Sequence, residues 1–213
     1  MNNAAREAIL SSIRFNLARS VPDEENPVDL ENPVILSKTT SPIQHFRDNV
    51  ESVNGHCIIT TDITDVLSQI ITNLRAQRIA ISDSPEVERL LQATDLEIEE
   101  LGIAPDTHDI FRFDVGISTA QAAIAETGTL ILDSAHERHR LVSLVPPVHI
   151  AIIDASRIVE TLSEALTLLR KDKEISPAVT FITGPSRTAD IELTLAIGVH
   201  GPQELYVIID GSS

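Results

Sequence analysis

The chain has 213 residues, of which 42% are hydrophobic and only 3% aromatic, and its net charge of −16 comes from 32 acidic and 16 basic side chains. This composition is typical of a globular protein with an aliphatic core and argues against global disorder. The strong negative charge argues against nucleic acid and anionic membranes as partners, because both are negatively charged themselves. The scarcity of aromatic residues argues against a surface on which the bases of single-stranded nucleic acid could stack.

The N-terminal segment is predicted to be a helix followed by a linker. Apolar side chains recur at four-residue steps from Ala5 to Leu17, which favours an amphipathic helix over residues 3–19. Residues 20–33 contain three prolines and five acidic side chains and are predicted to be extended. We therefore divide the chain into residues 1–33, helix and linker, and residues 34–213, an α/β domain. No apolar leader or membrane-spanning run is visible, which predicts a cytoplasmic protein.

Beyond the linker, predicted helices alternate with predicted strands. Strands are expected at residues 57–60, 78–82, 148–153, 178–182 and 205–209, and helices are expected to begin at Ser41-Pro42, at Thr61 or Asp62, at Ser84-Pro85, at Ala155-Ser156 and at Gly184-Pro185-Ser186, the last ending near Gly198. This alternation predicts a mostly parallel open sheet with helices on both faces. Cys57, the only cysteine, lies in an apolar strand and is expected in the core, so the chain by itself supplies no iron–sulfur cluster.

Residues 108–147 fit the alternation less well. Residues 120–124 suit a strand or a helix, and the turn Glu126-Thr127-Gly128-Thr129 precedes a short strand, so a β-hairpin is expected here. In this turn Gly128 permits a positive φ, and the threonine hydroxyls with the backbone N–H groups are candidates for binding an anion. Glu126 is the candidate general base or carboxylate nucleophile. A plain hairpin with capping threonines and a solvated glutamate is the alternative.

A second candidate site begins at Gly184. A predicted strand ends there and a predicted helix follows, so Ser186, Arg187 and Thr188 would lie at a helix N-terminus, where backbone N–H groups bind phosphate or carboxylate. The crevice beyond the carboxyl ends of parallel strands is also the usual ligand position in such sheets. The alternative is an ordinary helix cap. The segment lacks the Gly-Lys-Ser/Thr ending of a P-loop.

Histidines and arginines cluster between His136 and Arg140. Arg138 is a candidate ligand of an anionic substrate, and His136 with His139 has the spacing of a metal pair, but no third ligand is evident and a solvated basic turn is favoured. His149 opens an apolar strand, so a structural histidine is the default and a substrate-binding or acid–base role is the alternative. No nicotinamide or flavin fingerprint is visible, so we predict neither a cofactor nor a metal.

Taken in order, these segments resemble the LUD-domain family, and within it the LutC/YkgG branch. The matching stretches are Asp114-Val115-Gly116-Ile117 with Ala123-Ile124-Ala125-Glu126-Thr127-Gly128-Thr129, residues 140–150 with Pro146-Pro147, residues 184–192, and Gly198-Val199-His200-Gly201-Pro202. The resemblance covers about residues 40 to 210. It implies a NagB/RpiA/CoA-transferase-like α/β fold and a place in a system that oxidises L-lactate to pyruvate with two cysteine-rich iron–sulfur partners, resembling LutA and LutB. A chain with one cysteine resembles the third, cluster-free component.

The resemblance brings no assigned catalytic residues, and two classes of function stay open. The first is an accessory or small-ligand-binding subunit of an L-lactate utilisation system. The second is a small-molecule enzyme of the CoA-transferase or sugar-phosphate-isomerase type that acts on an anionic substrate, with Glu126 as base or nucleophile. A stable domain with a vestigial pocket is the third reading.

Overall fold

The computed structural model describes residues 3–19, 41–137, 139–171, 178–189, 195–197 and 201–212. The chain divides into two compact units, Met1–Ile35 and Leu36–Ser213. Helix α1 (Asn3–Arg19) belongs to the first unit and has the predicted bounds. No helix within the described residues is long and apolar enough to cross a membrane.

From residue 42 to residue 103 the second unit alternates helices and strands as the sequence predicts, and strands predominate in the rest of its described residues. In chain order its elements are α2 (Pro42–Ser52), β1 (His56–Thr60), α3 (Ile63–Leu74), β2 (Arg78–Ile81), α4 (Pro85–Gln92), β3 (Glu100–Ile103), β4 (Val115–Thr119), β5 (Ala122–Ile124), β6 (Thr129–Asp133), β7 (Val148–Asp154), β8 (Ile158–Val159), α5 (Leu162–Lys171), β9 (Val179–Ile182), β10 (Arg187–Ala189), β11 (Leu195–Ile197) and β12 (Glu204–Asp210). Helix α3 begins at a true cap, because the Asp62 carboxylate accepts a hydrogen bond from the Asp65 backbone N–H.

The main sheet has six strands in the order β1-β12-β7-β4-β2-β3. Every neighbouring pair is parallel, which confirms the predicted mostly parallel sheet. All carboxyl ends of these strands therefore lie at one edge and all amino ends at the other.

Helices cover both faces of this sheet, because its central strands are apolar on both sides. Along β7, Ile150 and Ile152 pack with the apolar side chains of α3 and α4. The alternating residues Ala151 and Ile153 pack with Phe46 and Val50 of α2 and with the second sheet. Side chains of a strand alternate between faces, so an unbroken apolar run marks a strand buried on both.

The second sheet has four strands in the order β8-β5-β6-β9. Strands β5 and β6 pair antiparallel through the turn that follows Ile124, which confirms the expected hairpin. Helix α5 covers this sheet, with Ala165 packed against the buried side chains of Ala122, Ile124 and Ile131.

The prediction of a helix that begins at Ser186 is wrong for the residues that the structure describes there. Strands β10 and β11 pair antiparallel there. Gly184 has φ of +80°, and the Ser186 backbone N–H, which would be free at a helix start, donates to the Pro202 carbonyl at 2.8 Å. The antiparallel pairing of β10 with β11 holds the backbone in an extended conformation instead of a helical one. Residues 190–194 and 198–200 lie outside the described residues.

Two further predictions need correction. The strand predicted at residues 178–182 is β9, and it lies in the four-stranded sheet, antiparallel to β6, rather than in the parallel sheet. The helix predicted to follow Ala155-Ser156 begins only at Leu162, because Ile158 and Val159 pair with β5 as strand β8.

Candidate functional site

A cavity of about 530 Å³ lies at the carboxyl edge of the main sheet. It is formed where β2, β4, β7 and β12 end, and its lining includes Asp83, Ser84, Glu86, Arg89, Thr119, Gln121, His136, Asp154, Arg157 and Asp210. We call it the carboxyl-edge cavity. Ligands of open parallel sheets usually bind in this position, and among the described residues of the basic cluster His136 lines it.

His136 is the oriented imidazole of this cavity. Its Nδ1 lies 2.9 and 3.0 Å from the two carboxylate oxygens of Asp133, which is almost fully buried at the end of β6. The same carboxylate accepts the backbone N–H groups of Ala135 and His136 and so fixes the turn. With Nδ1 engaged as the donor, Nε2 is left as the ring atom for a ligand. An imidazole held by a carboxylate in this way can exchange a proton with a bound molecule.

Glu137 ties the turn that carries His136 to the main sheet. Its carboxylate accepts a hydrogen bond from the Thr119 backbone N–H at 2.8 Å and one from the Thr119 hydroxyl. The side chain is buried, and burial raises the pKa of Glu137 against the opposing effect of the Ser82 and Thr119 hydroxyls. Glu137 therefore holds the end of β4 beside His136, so its part in the cavity is positioning.

The charge of the cavity limits the ligands that suit it. Among the described residues, four acidic side chains line it, Asp83, Glu86, Asp154 and Asp210, against the two arginines Arg89 and Arg157. The Arg157 Nε donates to the Gln121 carbonyl at 2.7 Å, which holds the guanidinium at the wall. A ligand with one carboxylate and neighbouring hydroxyl groups can be matched by such a lining, whereas a polyanion meets net repulsion.

Glu126 does not line this cavity. Its Oε1 accepts a hydrogen bond from the Leu162 backbone N–H at 3.2 Å, at the first turn of α5, and its own N–H donates to the Glu160 carbonyl. Glu164 accepts the N–H groups of Glu160 and Thr161 at the same helix end. A carboxylate at a helix N-terminus stabilises the helix. The predicted catalytic role of Glu126 stays a prediction, and this geometry favours a structural one.

Replacing Glu126 with glutamine tests that structural role. The amide oxygen can still accept the Leu162 N–H, so only the charge at the helix N-terminus is lost, and we expect the free energy of unfolding to fall by about 0.5–1 kcal/mol. Urea denaturation measures this change. Glu164→Gln is the matched control, with a loss of similar size; a far larger loss for Glu126→Gln would contradict the assignment.

The rest of this turn packs against α2. Gly128 has φ of +64°, and a Cβ atom there would lie 2.7 Å from the backbone nitrogen of Val50. The Thr129 hydroxyl lies 2.7 Å from the hydroxyls of both Thr127 and Thr183. The hydroxyls predicted to bind an anion therefore pair with one another.

The second predicted motif packs against the end of the same helix. A Cβ atom at Gly184 would lie 2.6 Å from Val53 Cγ2, and the Arg187 guanidinium donates to the Val53 carbonyl at 2.6 Å. Thr188 pairs through its backbone with Ala196. The structure thus brings the Glu126–Thr129 turn and the Gly184 segment together around α2, as packing, while Glu126 itself points to α5.

His149 lies elsewhere, in β7, and Gly184 and Ser186 line a smaller groove beside it. Its Nε2 lies 2.9 Å from the Ser118 hydroxyl. Arg138 lies outside the described residues. No group of three His, Cys, Asp or Glu side chains suited to a metal converges within the described part of the chain.

Sequence reasoning missed most of the carboxyl-edge cavity. The one local signal was the three-residue spacing of Asp133 and His136, which lets a turn pair them. Asp154 and Asp210 follow strands that the sequence does predict, so their meeting at one edge could have been inferred from the parallel order alone.

Comparisons with known proteins agree on one family. The LUD domain family model matches residues 43–209. A protein named lactate utilization protein C from Macrococcus caseolyticus is 31% identical over 95% of both chains, and one of the same name from Oceanobacillus iheyensis is 28% identical over 96% of this chain and 98% of its own. The crystal structure of a DUF162 family protein from Deinococcus radiodurans has a TM-score of 0.59 and 22% identity, covering 79% of this chain and 95% of that chain, and therefore shares the fold.

Proposed function

This chain belongs to the LUD domain family, and from that premise we propose that it is the cluster-free component of an L-lactate utilisation system and binds a small ligand of that system in the carboxyl-edge cavity. The observation that carries this proposal is the similarity to lactate utilization protein C along 95% of both chains. The ligand class is a small hydroxy or oxo acid with a single carboxylate.

The cavity lining supports that ligand class. One carboxylate suits the arginine pair, Arg89 and Arg157, and the hydroxyl or carbonyl oxygen beside it suits an imidazole. His136, held by Asp133, is the group we assign to proton exchange with that oxygen. Its role is to accept or return a proton; the electrons belong to other components.

The partners we propose are the iron–sulfur subunits that resemble LutA and LutB. Cys57 is buried, and burial raises the pKa of its thiol to about 12, so it is not a thiolate at neutral pH. The chain has no other cysteine. Any iron–sulfur cluster of the system must then be held by other subunits. We expect such subunits, purified anaerobically, to form a complex with this chain, and their failure to associate would count against this part of the proposal.

Growth on L-lactate tests the function and the site together. Deleting the gene should abolish growth on L-lactate and leave growth on glucose unchanged, and the wild-type gene should restore it. His136→Gln should fail to restore it, because losing a proton-transfer group lowers a rate by about 10²–10⁴-fold. Thermal denaturation of the purified variant should show that it is folded.

His139→Gln is the matched control, since His139 is a neighbouring histidine outside the cavity lining. It should restore growth fully. If both variants restored growth, the proposed role of His136 in the cavity would be wrong, and only the role as an accessory subunit would remain. Normal growth of the deletion strain would overturn the proposed function.

The second class, a small-molecule enzyme, gains support from the Asp133–His136 pair rather than from Glu126. The acidic lining favours a monocarboxylate over the phosphorylated or CoA-linked anions expected from that class. Isomerisation or acyl transfer of a small monocarboxylate by the isolated protein, lost in His136→Gln, would support this class.

A further inference from the structure

A second, smaller groove lies at the opposite edge of the main sheet. It has a volume of about 200 Å³ and is found where β7 and β12 begin. Its walls are mostly apolar and include Leu144, Phe181, Pro185, Pro202 and Leu205, with His149 at its base. We call it the amino-edge groove.

Among the described residues, two buried polar side chains line this groove: Ser143, whose hydroxyl donates to the Arg140 carbonyl at 2.9 Å, and His149. His149 is 1% exposed, and its Nε2 is paired with the Ser118 hydroxyl at 2.9 Å. Its Nδ1 is buried and has no hydrogen-bond partner among the described residues. A buried polar atom left without a partner costs free energy, so a ligand atom that paired with Nδ1 from the groove would recover that cost.

The tautomer of His149 follows from counting hydrogen bonds. If Nε2–H donated to Ser118, the serine hydroxyl hydrogen would have no acceptor among the described residues and Nδ1 would be an unused acceptor. If Ser118 donates to Nε2, only the Nδ1–H is unused. The second arrangement leaves fewer unsatisfied groups, so Nδ1 carries the ring hydrogen and is the unused donor of a residue that lines the groove.

We propose that the amino-edge groove binds a small neutral carbonyl compound, such as a ketone, ester or amide, whose oxygen accepts a hydrogen bond from His149 Nδ1–H. The apolar walls match a short hydrocarbon body. No cationic side chain within the described residues lines the groove, and a carboxylate would be buried there unpaired, at a large cost.

The uncharged state of His149 supports this choice. Burial lowers the pKa of His149 to about 3, so the ring is neutral at physiological pH and donates as a neutral imidazole. This groove is independent of the carboxyl-edge cavity, and the proposal holds or fails apart from any role in lactate utilisation.

NMR spectroscopy of the full chain labelled with ¹⁵N-histidine tests the proposal, with butanone, butanoate and butylamine as probes of similar length. The His149 ring, identified by its absence in His149→Gln, should show the Nδ1–H tautomer. Butanone should shift its Nδ1 resonance with a Kd of about 1–10 mM, a reasonable affinity for five non-hydrogen atoms. Butanoate and butylamine should bind at least about tenfold more weakly, because both bury a charge.

A second variant keeps the test independent of any disturbance at His149. Phe181 is a half-exposed wall of the groove, so Phe181→Ala should fold normally and weaken butanone binding about fivefold through lost apolar contact. His136, in the other cavity, should not respond to butanone. An Nε2–H tautomer, no shift at His149, or equal butanone binding by Phe181→Ala would each overturn the proposal.

Discussion

Replacing Gly116 with alanine is expected to leave little folded protein, at a cost of at least about 4 kcal/mol in the free energy of unfolding. A Cβ atom at Gly116 would lie 1.9 Å from the Val142 carbonyl oxygen and 2.9 Å from its carbonyl carbon. Gly116 lies in β4, which is paired with β2 on one side and β7 on the other. Neither the strand nor the segment above it can move without breaking this core.

Soluble yield and urea denaturation measure the effect. Gly211→Ala is the matched control, because a Cβ atom there would have no neighbour closer than 3.5 Å and the free energy of unfolding should change by less than about 0.5 kcal/mol. If Gly116→Ala unfolded at the same urea concentration as Gly211→Ala, that result would contradict the close packing of residues 140–143 against the sheet.

The close contact between Gly116 and Val142 helps to explain why some strands were predicted from the sequence and others were not. Strands β7 and β12 are continuous apolar runs, buried on both faces, and were predicted. Strand β4 was not, although it is central, because Gly116 and Ser118 interrupt its apolar pattern. Those small residues are needed where Val142 and His149 approach, a requirement set by tertiary packing. Edge strand β3 was missed because its Leu101 and Ile103 are exposed, which leaves no apolar run.

The candidate site was predictable only in part, for a related reason. The Glu126–Thr129 turn was correctly singled out as unusual, but a glycine that admits α2 and a glycine that admits a ligand have the same sequence signature. The distinction lies in Val50, 78 positions before Gly128 along the chain, whose backbone fills the space. At Gly184 the sequence is equally ambiguous, since Val53 fills the space beside its Cα and accepts a hydrogen bond from Arg187.

The overall charge was also a poor guide to the site. The net charge of −16 disfavours polyanionic partners but does not locate a cavity. Among the described residues that line the carboxyl-edge cavity, acids outnumber arginines, in part because aspartates end β7 and β12. Charge therefore restricts this cavity to ligands with few negative groups, and the oriented His136 is its distinguishing feature.

Acid should destabilise this protein through His149. Its pKa is about 3 in the folded protein, against 6.5 for an unperturbed histidine, because the ring is fully buried. Between these values the unfolded chain binds a proton that the folded protein does not, so stability is lost as the pH falls. The loss is about 1.4 kcal/mol per pH unit below 6.5 and about 5 kcal/mol in all by pH 3.

Subtracting a variant isolates this contribution, because carboxylates also titrate in the range. Glu137, for example, acts in the opposite sense, since its raised pKa means that the folded protein takes up a proton first. His149→Gln has no titrating ring and can still pair with Ser118, so the stability advantage of the wild type over this variant should shrink by about 1.4 kcal/mol per unit from pH 6.5 downward. A wild-type advantage over His149→Gln that stayed constant from pH 7 to pH 4 would show that His149 can be protonated in the folded protein, which would contradict its lowered pKa.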